Sequence, residues 1–262
     1  MIDLDGYFAR IGYSGTTEPT LATLNGLALA HVIAIPFENL DVLLGRDIDL
    51  ELAAIENKLV GARRGGYCFE QNRLFLAALG QLGYTVRPIS ARVRYGRPRE
   101  YTPPRTHMFL EVAFDQKYLI DVGIGSMSLT SALVLAEQGR QETTHEPRRL
   151  LRENGLIYHQ VWFDESGWTD ICEFTGEDMP EIDRIVGNWY TSKHPRSSFR
   201  AKLQAARATA TGRISLLDHQ LTIRTPGHVE KHAWTTQAEL RELLATRFGL
   251  QFSAETEFHW AQ

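Results

Sequence analysis

The stretch Arg63-Arg64-Gly65-Gly66-Tyr67-Cys68-Phe69-Glu70-Gln71-Asn72 decides how this chain begins to fold. Adjacent glycines are costly in a regular element, so Gly65 and Gly66 mark a place where backbone bends sharply or passes close to another group. From Cys68 onward Phe69, Leu74, Leu76, Leu79 and Leu82 recur at helical steps until Gly83, which predicts a helix over 68–82 fed by the turn before it. A thiol opening that helix faces unpaired N–H groups and the positive end of the helix dipole, the setting in which cysteines become nucleophiles. Cys172 has no such setting and reads as a small apolar core residue.

Working upstream, Asp49 can cap a helix over 50–60 with the stripe Leu52, Ile55 and Leu59, closed by Gly61. Before it, Leu21, Leu24, Ala28, Val32 and Ile35 follow Thr20 at steps of three and four until Pro36 stops the pattern. Downstream of Gly83 the period switches from 3.6 to 2. Strands are predicted over 84–95, 107–114 and 117–122, the last two joined by Asp115-Gln116. Asn154-Gly155 and Ser166-Gly167 punctuate three more. Pro180 opens a helical run to about Lys193, and strands over 202–208, 213–217 and 221–225 precede a final helix over 239–248. Thr236 and Glu239 make its capping box.

The fold class expected is therefore α+β. An N-terminal helical domain (1–83) carries Cys68, an antiparallel sheet or barrel of at least six strands occupies 84–179, and an α/β lid closes the chain (180–262).

Composition removes several functions. In 262 residues, 43% hydrophobic and 23% charged content is that of a folded globular protein. Lys plus Arg (28) against Asp plus Glu (32) gives −4 with no block of like charge, so neither nucleic acid nor membrane is an expected partner. Two cysteines without CxxC spacing exclude a disulfide framework and a Cys-rich zinc site, and no metal is expected. The opening MIDLDGYFAR lacks the basic and apolar regions of a secretory signal, and the apolar run near 27–35 is broken by His31. A cytoplasmic location with reduced thiols is expected.

A nucleophilic cysteine needs a base and a group to orient that base. His107 begins one predicted strand and Asp121 ends its hairpin partner. The short turn between them sets His107 opposite residue 123 or 124, so both side chains can lie at one end of the sheet. Among nine histidines, His31 and His145 have no such arrangement. Cys68, His107 and Asp121 are the candidate catalytic set, forming a core like that of cysteine proteases.

Ile35-Pro-Phe-Glu-Asn-Leu-Asp-Val-Leu-Leu44, Arg64-Gly-Gly-Tyr-Cys-Phe-Glu-Gln-Asn72, Thr106-His107, Asp121-Val-Gly-Ile-Gly125 and Asn188-Trp-Tyr190 together resemble the arylamine N-acetyltransferase family, in its order and spacing. The bacterial members look closest. The resemblance covers nearly the whole chain and implies a three-part fold. It also implies acetyl-CoA as cosubstrate with no permanently bound cofactor, and an arylamine, arylhydrazine or N-hydroxyarylamine as acceptor, served in turn through an acetyl-cysteine thioester. It points to Gly123, Ile124, Gly125, Ser126 and Phe199 as neighbours of pantetheine or acceptor, and to Phe37 as a pocket wall. One departure is plain: the family's pattern has Phe where this chain has Ile124. Glu38 and Arg64 are either a surface pair or, as the resemblance implies, a buried pair holding the turn before Cys68. Tyr67 and Phe69 are either pocket wall or core. Lys193, His194, Arg196, Arg200 and Lys202 form the densest basic cluster, either a solvated face or a phosphate contact. The same three catalytic residue types would also serve a thiol protease or a transglutaminase-like enzyme, which the acyl donor distinguishes. A non-catalytic interaction protein of this fold would show no selective reactivity at Cys68.

Overall fold

The computed structural model describes residues 1–260. Its first helices are α1 (Leu4–Ile11), α2 (Leu21–Ala34), the short α3 (Leu40–Leu43) and α4 (Leu52–Glu56), followed by α5 (Cys68–Gln81). Thr20 caps α2 by accepting the Thr23 N–H at 3.2 Å, and α5 starts at Cys68 as its periodicity predicts. Leu24, Leu27, Ala28 and Val32 of α2 meet Leu74, Phe75, Ala78 and Leu79 of α5 in a core that continues into the central sheet.

The helix predicted over 50–60 is corrected. It is a short α-helix that widens into a π turn over Asn57–Gly61. Asp49 does not cap it directly but accepts the Glu51 N–H at 2.8 Å. The reason lies in tertiary partners: the widened turn sets the Lys58 ammonium on Asp41 and Glu70. It also turns the Leu59 carbonyl to Arg10 Nε at 2.8 Å.

The central sheet contains β2 (Thr85–Val93), β3 (His107–Ala113), β4 (Lys117–Ile120), β5 (Leu133–Val134), β6 (Arg148–Glu153), β7 (Leu156–Phe163) and β8 (Gly167–Phe174). Its order is β5-β4-β3-β2-β8-β7-β6, antiparallel throughout. Gln141 nearly closes it into a barrel: its backbone exchanges two hydrogen bonds with Arg148 on β6, and its side chain bonds both the N–H and the carbonyl of Val134 on β5. The β3–β4 connection is a three-residue loop over 114–116 rather than the two-residue turn expected. Its register, Leu110 opposite Ile120, points His107 toward residue 123.

The last sheet has the order β1-β9-β10-β11-β12, from β1 (Phe37–Glu38), β9 (Gln204–Ala208), β10 (Arg213–Leu217), β11 (Gln220–Thr225) and β12 (His228–Ala233). It is flanked by α6 (Glu181–Lys193), α7 (Ser198–Ala201) and α8 (Gln237–Phe248). The capping box is present: Thr236 Oγ1 accepts the Glu239 N–H and Glu239 accepts the Thr236 N–H. The strand β1 comes from the first third of the chain, with Phe37 opposite Ala206. Periodicity cannot reveal a two-residue strand. β12 escaped it too, because all six of its residues are exposed.

Candidate active site

The glycine pair is explained by crowding. A Cβ on Gly65 would lie 2.1 Å from the Pro36 carbonyl oxygen, and one on Gly66 would lie 2.6 Å from Glu70 Oε2. Backbone runs against backbone here, the Glu38 N–H donating to the Gly66 carbonyl at 3.0 Å. Side chains then lock the turn. Arg64 donates to Glu38 at 2.7 Å and to Asp41 at 3.1 Å, with Glu38 fully buried, so the expected buried pair is present and extends to a second carboxylate. Lys58 joins Asp41 at 2.8 Å to Glu70 at 2.6 Å. Glu70 accepts the Tyr67 N–H at 3.0 Å, fixing the residue before Cys68. Burial pushes the Glu70 carboxyl up, against the pull of Lys58.

Cys68 begins α5, is 4% exposed, and places Sγ 3.6 Å from the Thr106 carbonyl oxygen. The next residue, His107, is the first of β3. Its Nε2 lies 2.7 Å from Asp121 Oδ2, and Cys68 is near enough to the ring to favour its charged form. Burial disfavours the charged imidazole, but the Asp121 carboxylate, its hydrogen bond and the nearby Cys68 outweigh it, pushing His107 up to about 10. Asp121 is fully buried, which alone would raise its carboxyl. His107, Asn72 and the Gly123 N–H hold it below the usual carboxylate range instead. Its Oδ1 accepts Asn72 Nδ2 at 3.0 Å and the Gly123 N–H at 2.9 Å. Asn72 also donates to the Met108 carbonyl at 2.7 Å and accepts the Val122 N–H at 3.1 Å. This asparagine was missed as a site residue, although its place one helical turn past Cys68 was a signal. Gly123 packs so tightly that a Cβ would sit 2.8 Å from Cys68 Cα.

Cys68 and His107 line one cavity of about 730 Å³, together with Phe37, Gly123, Ile124, Gly125, Ser126 and Phe199. All the residues singled out for substrate thus share one space with the thiol. Tyr67 and Phe69 do not line it; they are core, at 0% and 1% exposure. The basic cluster divides. Arg196 and Lys202 reach the cavity, whereas Lys193 pairs with Asp47, Arg200 donates to the Lys193 carbonyl and His194 stacks on Tyr190. Arg97, Arg213, Arg224 and Lys231 were not anticipated and also line it. They lie on loops and strands far apart in sequence, so no local charge run announces them. Arg213 is 3% exposed, bonds Glu146 at 2.7 Å and donates to the Ser128 carbonyl at 2.9 Å, two residues past the Gly123–Ser126 turn.

Cys172 is fully buried, and that burial pushes its thiol well up. His31 is likewise core, between Tyr7 at 2.9 Å and Gln71 at 2.6 Å, and burial lowers it to about 4. Among the described residues no cluster of His, Cys, Asp or Glu could hold a metal ion, and no helix is long and apolar enough to cross a membrane.

A sequence model described as N-acetyltransferase matches residues 20–257, which sets the class as an acetyl-transferring enzyme. The arylamine N-acetyltransferase of Mycobacterium tuberculosis (strain ATCC 25618 / H37Rv) is 43% identical over 255 residues, covering 95% of this chain and 89% of that protein. The Escherichia coli (strain K12) arylamine N-acetyltransferase is 39% identical, covering 94% and 88%. The solved M. tuberculosis structure superposes with a TM-score of 0.91 at 42% identity, covering 94% of this chain and 93% of that one. Mycobacterium marinum arylamine N-acetyltransferase in complex with CoA gives 0.91 at 40% identity, covering 94% and 92%. The chain belongs to the arylamine N-acetyltransferase family.

Proposed function

We propose that this enzyme moves an acetyl group from acetyl-CoA to an aromatic amine, hydrazine or N-hydroxyarylamine through an acetyl thioester on Cys68, with His107 and Asp121 as its proton-handling partners. The observation that carries the reading is a thiol and an Asp121-bound imidazole lining one large cavity. His107 takes the thiol proton. The Cys68 sulfur attacks the acetyl carbonyl, and the imidazolium returns its proton to the departing CoA sulfur. The neutral imidazole then takes a proton from the attacking amine, and Cys68 leaves as thiolate beside the recharged His107. Atoms and charge balance in both halves. Asp121 holds the ring so that Nε2 carries a proton and the other nitrogen faces sulfur.

The first N–H groups of α5 have no partner within the helix, so the Cys68 N–H is the natural donor to the oxyanion. Phe37, Phe199 and the 123–126 turn supply the apolar surface and backbone that pantetheine and acceptor require. Arg196, Lys202, Arg224 and Lys231 give the same cavity positive charge suited to CoA phosphates. The segments 1–83, 84–179 and 180–262 divide the work into nucleophile, base with orienter, and lid. Two free thiols and a CoA donor suit a cytoplasmic setting.

The test omits the acceptor. Protein mixed with acetyl-CoA alone should release one CoA thiol per chain in a burst and gain one acetyl group on Cys68 by peptide mass mapping. A thiol protease would leave acetyl-CoA intact. Thiol release only after amine is added would overturn the two-step reading.

A further inference from the structure

The inner face of the central sheet carries charge where a barrel interior is ordinarily apolar. Residues directly opposite on antiparallel strands share a face, as do residues two apart on one strand. His107 lies opposite Ala91, and two residues on, Val93 lies opposite Cys172. Cys172 lies opposite His159, and His159 opposite Leu150, two residues from Arg148. His107, Cys172, His159 and Arg148 therefore share the inner face, and each is at most 2% exposed. Arg148 Nη1 sits 3.4 Å from His159 Nε2, so the ring accepts there and carries its proton on Nδ1. Burial and the guanidinium lower His159 to about 3, which keeps it neutral.

A fully buried guanidinium is costly unless its charge is answered. Arg148 and Arg213 share one carboxylate, Glu146, at 3.2 and 2.7 Å. Two cations thus hold one anion. Arg213 reaches on to the Ser128 carbonyl, and the next N–H, of Leu129, donates to the Asp121 carbonyl at 2.7 Å. The Asp121 carboxylate is near enough to Arg148 to favour its charged form, and Cys172 feels both Arg148 and Cys68. With His107 charged beside Asp121, the buried positive groups are Arg148, Arg213 and His107, and the negative ones only Glu146 and Asp121. Ionising Cys68 supplies the missing negative charge. His145 and His159, lowered by burial, and the Cys172 thiol, raised by it, add no charge at neutral pH. Behind the turn before Cys68, Glu38, Asp41 and Glu70 face Arg64 and Lys58, an ion cluster that none of the variants below alters.

We propose that Arg148 is a positioning residue for acetyl transfer: its charge, from inside the barrel, holds Asp121 ionised and draws Cys68 and His107 toward their thiolate–imidazolium form. The inference rests on the acetyl-thioester reading for the name of the reaction, whereas the charge effect acts on the free enzyme before acetyl-CoA binds. Arg148 touches no substrate, being fully buried and outside the cavity lining. A unit charge within about 10 Å, at an effective dielectric constant of ~20, shifts a buried titration by about one pH unit.

Alkylation of Cys68 by iodoacetamide, followed by peptide mapping across pH on the full chain, reads the thiolate without acetyl-CoA. Arg148→Met should move the midpoint of the acid limb up by about one unit, because one cation is gone, and slow the CoA-release burst about tenfold below that midpoint. Glu146→Gln leaves both guanidiniums unanswered and should move the midpoint down by a similar amount. Arg148→Lys keeps the charge in a different shape and should stay within ~0.3 unit of native. Loss of packing alone does not move a midpoint in opposite directions for two neighbouring substitutions. An Arg148→Met midpoint within ~0.3 unit of native overturns the proposal. So does Arg148→Lys shifting as far as Arg148→Met, or Glu146→Gln shifting upward. If Arg148→Met does not fold, the other two variants decide by the same signs. A native protein that shows the alkylation limb yet releases no CoA thiol fails the acetyl-transfer reading, while the signs above still decide the role of Arg148.

Discussion

Asp121→Asn isolates what the buried carboxylate does, because the geometry around it dictates how an amide must sit. Oδ1 of Asp121 accepts two donors, Asn72 Nδ2 and the Gly123 N–H. Asparagine must keep its oxygen there, so its NH2 group faces His107 Nε2, where Oδ2 now accepts at 2.7 Å. Two donors cannot share that contact, and the ring proton moves to the nitrogen facing Cys68. The imidazole then presents a hydrogen where a base is required. The charge balance also reverses. With Asp121 present His107 is pushed up to about 10 despite burial; with the charge gone, only Cys68 still opposes burial and the imidazole is much harder to protonate. Loss of the correct tautomer in this kind of constellation costs ~10⁴ in rate, equivalent to about 5 kcal/mol of transition-state stabilisation. The assay is single-turnover release of CoA thiol from acetyl-CoA, read with a chromogenic disulfide, on variant and native protein of equal thermal stability. A burst constant within tenfold of native would refute the reasoning and remove Asp121 from the proton pathway.

Cys68→Ser should abolish both the burst and turnover, since a serine at this site has no low-energy alkoxide; peptide mapping that still found an acetyl group at position 68 would contradict this. Ile124→Phe should reorder acceptors toward small flat anilines, by roughly two- to twelvefold for a ring contact of ~0.5–1.5 kcal/mol, while leaving the CoA burst nearly unchanged. An unaltered ranking across an amine series would take Ile124 out of the acceptor space. Glu146→Gln leaves Arg148 and Arg213, both buried, without their shared anion, and should lower stability by ~3–5 kcal/mol in denaturant titrations. Burial opposes the Glu146 charge, but the two arginines pull its carboxyl from 4.5 down to about 2. Its contribution is therefore complete above pH 4.5 and lost as pH falls through 2. The native protein should lose more stability across that window than the variant, the difference between them closing as pH falls through 2.

What the amino-acid order determined by itself was local. Helix and strand periods, the Thr236 capping box, the turn before Cys68 and the hairpin that brings His107 near Asp121 are set by neighbours a few residues apart. They were legible for that reason. Even Gly65 and Gly66 signalled a close approach, though not to what. Tertiary structure decided which distant groups meet. It set Pro36 against the glycines and Asn72 between Asp121 and Met108, and it drew β1 into a sheet whose other strands lie more than 160 residues later. It also chose which face of α6 to bury. The stripe Ile182, Ile185, Val186 and Trp189 reads from sequence as a core face, yet Gly187 is the residue that admits the Phe69 ring and Asn188 the one that receives the Tyr67 hydroxyl. A repeating pattern states that two faces differ. Only the shape and polarity of the surface beneath decide which of them is turned inward.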